Sequence, residues 1–251
     1  MLETLHHDKV LELRLARPPV NALDPALVAK LRQAFIEAPA QGARCVILSG
    51  GKGLFSAGLD VPTLLTLDRS GMIAFWREFQ GLLGAIARCA VPTVAAITGH
   101  SPAGGAVLSI FCDYRIMARG AYRIGLNEVQ VGLSVPSTIQ YAFKRLLGAH
   151  RADRLMMQGA IVEAEEAHRI GLVDELVDVD HVVAHAIDWG KHIVALPYEA
   201  MSETRRLARA DLHAAVDEGE RAPNALFLER WFSAEAQSTL RALVAKLKSK
   251  G

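Results

Sequence analysis

The sequence is poor in the features that mark secreted, membrane-spanning or nucleic-acid-binding chains. Its 251 residues include three cysteines, Cys45, Cys89 and Cys112. They are odd in number, widely spaced and set in apolar segments, so they read as reduced core thiols of a cytoplasmic protein rather than a disulfide framework. Charge of one sign is not in excess: 28 Lys plus Arg against 27 Asp plus Glu leave a net charge of +1. Nucleic acid and anionic membranes need a basic surplus in their partners, and neither is expected here. No apolar run reaches the ~18 residues of a membrane span. Met1 to Lys9 carries acids and no apolar stretch, which argues against a secretory signal. The closing Lys248-Ser249-Lys250-Gly251 is not a peroxisomal tripeptide. A phosphate loop, a dinucleotide-binding GxGxxG after a strand and a GxSxG nucleophile elbow are also missing.

What is present is ordinary globular composition, 51% hydrophobic and 22% charged, in a chain long enough to bury a core without metal or disulfide. Val10 to Leu15 alternates apolar and polar residues, the signature of a half-buried strand. Asp24-Pro25 supplies an N-cap and a proline for the first helical turn, and Leu27, Leu31, Ala34 and Phe35 follow at helical spacing. Arg44 to Leu48 and Thr93 to Thr98 read as strands, with a helix over Met72 to Cys89 between them. Tyr114 to Met117 and Tyr122 to Leu126 are short strand candidates. Helices follow from Pro136 to Gly148 and from Ala152 to Gly159, and Val173 to Val177 is a last strand. From about His181 the pattern is helical throughout. Strands alternating with helices indicate an α/β fold with a largely parallel sheet, and the helical end is a separate layer or small subdomain.

Two glycine turns follow predicted strands: Ser56-Ala57-Gly58-Leu59-Asp60 and Ser101-Pro102-Ala103-Gly104-Gly105. The second hands a strand over to a helix, where unpaired N–H groups can face a negative oxygen; glycine also simply permits a tight turn. Glu128, in Ile124-Gly125-Leu126-Asn127-Glu128-Val129, has apolar neighbours that would raise its pKa and make it a proton acceptor near neutrality, unless it is an exposed loop residue. His181, His185 and His192 share helical spacing but lack a carboxylate or cysteine in register, so no metal site is expected. His100 beside the second glycine turn reads as a capping or packing residue more readily than a catalytic one. Lys246, Lys248 and Lys250 read as a solvated helix end able to touch a phosphate.

Taken together these segments resemble the crotonase (enoyl-CoA hydratase/isomerase) superfamily. The likeness runs through Arg17-Pro18-Pro19-Val20-Asn21-Ala22-Leu23, Phe55 to Asp60, Ala103-Gly104-Gly105, Cys112-Asp113-Tyr114-Arg115-Ile116, Gly148 to Ala152 and Glu166 to Asp174. Within the superfamily, Ser101 to Gly105 and Ile124 to Gly132 are most similar to the mitochondrial-type Δ3,Δ2-enoyl-CoA isomerases. The resemblance implies a crotonase-like ββα spiral core, here residues 1–195, and a helical C-terminal region, 196–251, used in trimerisation. It implies that the N–H groups of Leu59 and Gly104 bind the thioester oxygen and that Glu128 moves the proton. Asn127 would lie beside the substrate, and Ser56, Ala57, Gly58 and Asp60 would line the coenzyme A channel. Coenzyme A enters as part of the substrate, and no separate cofactor is expected.

One departure matters. Hydratases of this superfamily carry a second glutamate three residues after the oxyanion glycine, and this chain has Val107. The expectation is therefore a 3-enoyl-CoA to 2-enoyl-CoA isomerase of fatty-acid β-oxidation. A hydratase, or another enolate-forming acyl-CoA enzyme, is the alternative on the same fold. A non-catalytic acyl-CoA-binding or RNA-binding homologue is the alternative of another class, disfavoured by the near-neutral charge and the intact Leu59, Gly104 and Glu128. A homotrimer or dimer of trimers is expected, with Trp231, Phe232, Leu240, Leu243 and Leu247 forming an apolar stripe that a monomer would leave uncovered.

Overall fold

The computed structural model describes residues 1–221 and 225–249. The central strands of its largest sheet are short runs rich in β-branched and aliphatic residues. Strands β1 (Leu2–His7) and β2 (Val10–Leu15) form an antiparallel hairpin, and helix α1 (Pro25–Glu37) follows. Asp24 caps α1 by accepting from the N–H of Leu27, as its Asp-Pro sequence predicts. Strand β3 (Cys45–Ser49) leads into β4 (Gly53–Leu54), then α2 (Val61–Leu64) and α3 (Arg69–Ala87). Next come β5 (Thr93–Ile97), β6 (Gly99–Pro102) and α4 (Gly104–Ile110), and after them β7 (Tyr114–Ala118) and β8 (Arg123–Gly125). β1 and β2 both join the large sheet, and from β3 onward the pairs β3/β4, β5/β6 and β7/β8 each place one strand in each of two sheets. The result is a β–β–α repeat winding into a six-stranded sheet, β1-β2-β3-β5-β7-β10, and a four-stranded one, β4-β6-β8-β9.

A 3-10 turn over Glu128–Val131 precedes helices α5 (Ser137–Leu147) and α6 (Ala149–Gln158). Strand β9 (Ile161–Glu163), helix α7 (Ala164–Arg169) and strand β10 (Glu175–Val177) complete the two sheets. Five helices close the chain: α8 (Val182–Val194), α9 (Tyr198–Ala208), α10 (Ala210–Arg221), α11 (Ala225–Trp231) and α12 (Ala234–Lys248).

The large sheet is covered on both faces, and this corrects the half-buried reading of Val10 to Leu15. One face packs Leu11, Leu13, Val46 and Leu48 against α1 and α3; the other packs Val10, Cys45, Ile47 and Val94 against Val182 and Ala186 of α8. A parallel sheet sandwiched in this way buries its polar positions too. Glu12 is accordingly fully buried, and its carboxylate accepts from Ser49 Oγ (2.6 Å) and Arg14 Nε (3.0 Å) and contacts His7 Nε2 (3.1 Å). All three cysteines are buried and free, and burial pushes the thiols of Cys45 and Cys112 up to about 12. No helix among the described residues is long and apolar enough to cross a membrane.

The C-terminal apolar stripe has a partner that sequence periodicity does not reveal. Trp231 and Leu240 are buried, and both line the central cavity of this same chain, together with Leu243 and Leu247. Phe232 packs half-buried against the main core. Trp231 and Leu240 therefore offer no surface to a second copy, while Phe232 and Leu243 are half-buried and Leu247 is exposed. Lys246 is exposed near the end of α12, and Lys250 lies outside the described residues.

Candidate active site

The site begins with two loops zipped against each other. Segment 17–24 and segment 55–60 exchange backbone bonds: Ala57 N to Val20 O (3.0 Å), Leu23 N to Gly58 O (2.8 Å) and Asp60 N to Leu23 O (3.1 Å). Asn21 Nδ2 donates to Phe55 O (3.0 Å). Ser56 is fully buried; its hydroxyl donates to Asn21 O (2.8 Å) and accepts from Gly58 N (3.1 Å). Ser56 thus braces the turn from behind and does not reach the cavity, contrary to the expectation that it lines a channel. Asp60 is at the wall but committed: one oxygen caps α2 through Thr63 N (3.0 Å), and the other binds Arg17 Nη2 (2.6 Å).

Gly58 and Gly104 let this loop meet the start of α4. Gly58 has φ +89°, and a methyl group on it would sit 2.9 Å from Gly104 N; a methyl on Gly104 would sit 3.2 Å from Leu59 N. A side chain on Gly58 would force the loops apart, and its positive φ further favours glycine. Ala103, which precedes Gly104, also holds a positive φ of 47°, fixed by its N–H donating to Gly125 O of β8 (2.8 Å). A non-glycine residue in this region is strained, and such strain collects at functional sites. Neither Leu59 N nor Gly104 N has an acceptor among the described residues, and both residues line the cavity. Two unpaired amides, one at a helix start, are donors for an oxygen that gains negative charge.

The opposite wall carries Asn127 and Glu128, set by the 3-10 turn. Gly132 ends that turn in a left-handed conformation against α12, and Gln130 Nε2 ties it to Gly159 O at the end of α6 (2.9 Å). Glu128 Oε2 and Asn127 Oδ1 are shielded from solvent and have no hydrogen-bond partner among the described residues. Desolvation pushes the Glu128 carboxyl up to about 7, opposed only by a bond to its own backbone amide. The remaining lining is apolar, including Val107 one turn into α4 and Trp76, Phe79, Phe227 and Trp231. Trp76 and Phe227 stack with ring centroids 3.8 Å apart. The cavity measures about 650 Å³, within the range of small-molecule sites.

The structure thus brings Leu59, Gly104, Asn127 and Glu128 together, with Ala57 and Asp60 at the rim and Ser56 and Gly58 behind it. Sequence reading missed Arg17 as the partner of Asp60; the Arg-Pro-Pro motif held the signal, but not the ion pair across 43 residues. His100 is exposed and accepts from Arg123 N at Nδ1. His185 pairs with Glu175 (3.0 Å), and His181 and His192 are exposed.

A base with this pKa gives a specific pH profile. Below about 7 the Glu128 carboxyl is protonated and cannot accept a proton. kcat/KM should therefore rise with pH and level off above an inflection near 7. An inflection near the ordinary value of 4.5 would place Glu128 outside the reaction.

Comparison with known proteins agrees with this geometry. The family model described as enoyl-CoA hydratase/isomerase matches residues 6–250. The mouse enoyl-CoA delta isomerase 1, mitochondrial, is 30% identical over 212 residues, covering 83% of this chain and 73% of its own length. A probable enoyl-CoA hydratase, echA17, of Mycobacterium avium is 34% identical over 197 residues, covering 77% of this chain and 75% of its own. The crystal structure of human mitochondrial delta3-delta2-enoyl-CoA isomerase superposes with a TM-score of 0.93 at 27% identity, covering 99% of this chain and 98% of that one. With its β–β–α spiral, paired unpartnered amides and half-buried, desolvated glutamate, the chain belongs to the enoyl-CoA hydratase/isomerase family, the crotonase superfamily.

Proposed function

We propose that this protein isomerises 3-enoyl-CoA to 2-enoyl-CoA. One observation carries the reading: of the two carboxylates that line the cavity among the described residues, Asp60 is held by Arg17 and Thr63, and Glu128 is free. A thioester carbonyl makes its C2 hydrogen weakly acidic, and removing that proton places charge on the carbonyl oxygen. The N–H groups of Leu59 and Gly104 stabilise that charge, each donor contributing about 3–4 kcal/mol in comparable oxyanion holes. In a 3-enoyl thioester the anion is conjugated through C4. Glu128 takes the proton from C2 and returns it to C4, so the double bond moves and the atoms balance without water. Coenzyme A is carried by the substrate.

Hydration of 2-enoyl-CoA is the second reading, favoured by the hydratase names of several relatives and by the unpartnered Asn127 Oδ1, which could hold a water. Val107 weighs against it: buried in the cavity wall, it offers no hydrogen bond where a second acid would align water on C3. Incubation with each substrate, with products separated by mass, decides the matter. The expected result is fast conservation of mass with 3-enoyl-CoA and slow addition of water to 2-enoyl-CoA. Hydration as fast as isomerisation would overturn the isomerase reading. Val107→Glu should raise the hydration rate, at some cost in stability for the buried carboxylate.

The oligomer expected from family resemblance is a trimer or dimer of trimers. Of the C-terminal stripe, Trp231 and Leu240 no longer support it, because both are buried within this chain. Sedimentation at micromolar concentration should give a trimer or hexamer, and a monomer would refute it.

A further inference from the structure

Leu23 touches both amides of the site without lining the cavity itself. Through its backbone it forms an isolated parallel bridge with Leu59. Its N–H donates to Gly58 O (2.8 Å) and its carbonyl accepts from Asp60 N (3.1 Å), so both peptide groups flanking Leu59 are tied to Leu23. A parallel bridge of this pattern turns the N–H of Leu59 away from Leu23. The peptide group is planar and trans, so holding the Gly58 carbonyl also sets the direction of the Leu59 N–H opposite it. The hydrogen bond accepted by that carbonyl polarises the group and strengthens its free N–H as a donor.

Through its side chain Leu23 meets the other donor. A methyl group on Gly104 would sit 3.0 Å from Leu23 Cδ1, as close as it would come to Gly58 Cα and closer than its 3.2 Å to Leu59 N. Leu23 is fully buried, and in a close-packed interior its δ-carbon has no free space to leave the head of α4. The next residue, Asp24, caps α1 through Leu27 N (2.8 Å), and α1 packs along α3. Leu23 therefore links a well-anchored helix to both donors, by a hydrogen bond to the peptide of one and by a methyl group against the other.

We infer that Leu23 is a positioning residue that sets the spacing of the Leu59 and Gly104 amides. The inference rests on the reading of those amides as donors to a thioester oxygen, and it is the same for isomerisation and hydration. Shortening the side chain opens space beside Gly104, and the head of α4 settles into it while the Leu59 peptide stays on its bridge. A misplacement of about 1 Å in such a site costs up to ~10² in rate. The apolar wall and the outer channel are untouched, so kcat and kcat/KM should fall together while KM holds.

Infrared difference spectroscopy on the full chain tests it, with butanoyl-CoA isotope-labelled at its carbonyl carbon, a saturated thioester that neither isomerises nor hydrates. Bound to wild type, the carbonyl band should lie below its position in water, because the two donors draw charge onto the oxygen. Leu23→Ala should move the band back toward that position and lower kcat by about 10–10². Leu23→Met, whose unbranched chain reaches as far, should restore both. Leu31→Ala, which removes an equally buried leucine of α1 away from the cavity, should lower Tm but leave band and kcat in place. If Leu23→Ala fails to fold, Leu23→Val, which lacks the δ-carbons, decides in the same direction. An unmoved band in the Leu23 variant, or an equal movement in Leu31→Ala, would overturn the inference. An unshifted band in wild type would overturn the donor reading itself, and the inference with it.

Discussion

Glu128→Gln is expected to lower the isomerisation rate by about 10²–10⁴, the range that a general base supplies. The amide keeps the shape of the carboxyl group but cannot accept the C2 proton. Acyl-CoA binding should persist, because Leu59, Gly104 and the apolar wall are untouched. The same variant should change stability in a defined direction. A carboxyl group whose folded pKa is about 7, against an ordinary 4.5, binds its proton more tightly when folded. That contribution is fully present below pH 4.5 and is lost as pH rises through 7. Glu128→Gln should therefore melt at a higher temperature than wild type at pH 8, with the gap closing as pH falls toward 4.5. A variant that keeps a tenth or more of wild-type turnover would remove Glu128 from the mechanism.

Gly58→Ala should be nearly as damaging, by a different route. The new methyl group would stand 2.9 Å from Gly104 N, a backbone atom that cannot swing aside, at a position whose φ of +89° is already costly for alanine. Relief requires the 55–60 loop to move away from α4, which separates the two amides that hold the thioester oxygen. Loss of one such donor lowers turnover by ~10²–10³. Because Glu128 sits on the opposite wall, the pH inflection near 7 should survive in the residual activity. An active enzyme with unchanged kcat would show that the close approach of the loops does not set the amide pair. A Gly58→Ala protein that fails to fold would be distinguished by circular dichroism before any rate is read.

Local chemistry made several elements legible. Asp24-Pro25 announced the start of α1, and Gly148 and Gly159 closed α5 and α6. The strands β3 and β5 stand out because buried parallel strands are near-continuous apolar runs. The small sheet was harder to see: β4 spans two residues and β6 four, too few for any periodicity to register. Strand β1 was passed over because its polar residues face solvent at a sheet edge, where pairing with β2 alone holds it.

Ordered motifs along the chain carry the resemblance to the family, and that resemblance is what assigns Leu59 and Gly104; the two glycine turns and Glu128 among apolar neighbours stand out as local facts. Tertiary structure alone decided their state. It showed that Asp60 is tied to Arg17 and that Ser56 braces the turn from behind. It also turned Trp231, Leu240 and Leu243 inward to line the cavity, where sequence had suggested an uncovered face. The physical reason is common to all three. A hydrogen bond, an ion pair or a buried face depends on which distant segment arrives beside a residue, and nothing in its neighbours along the chain records that.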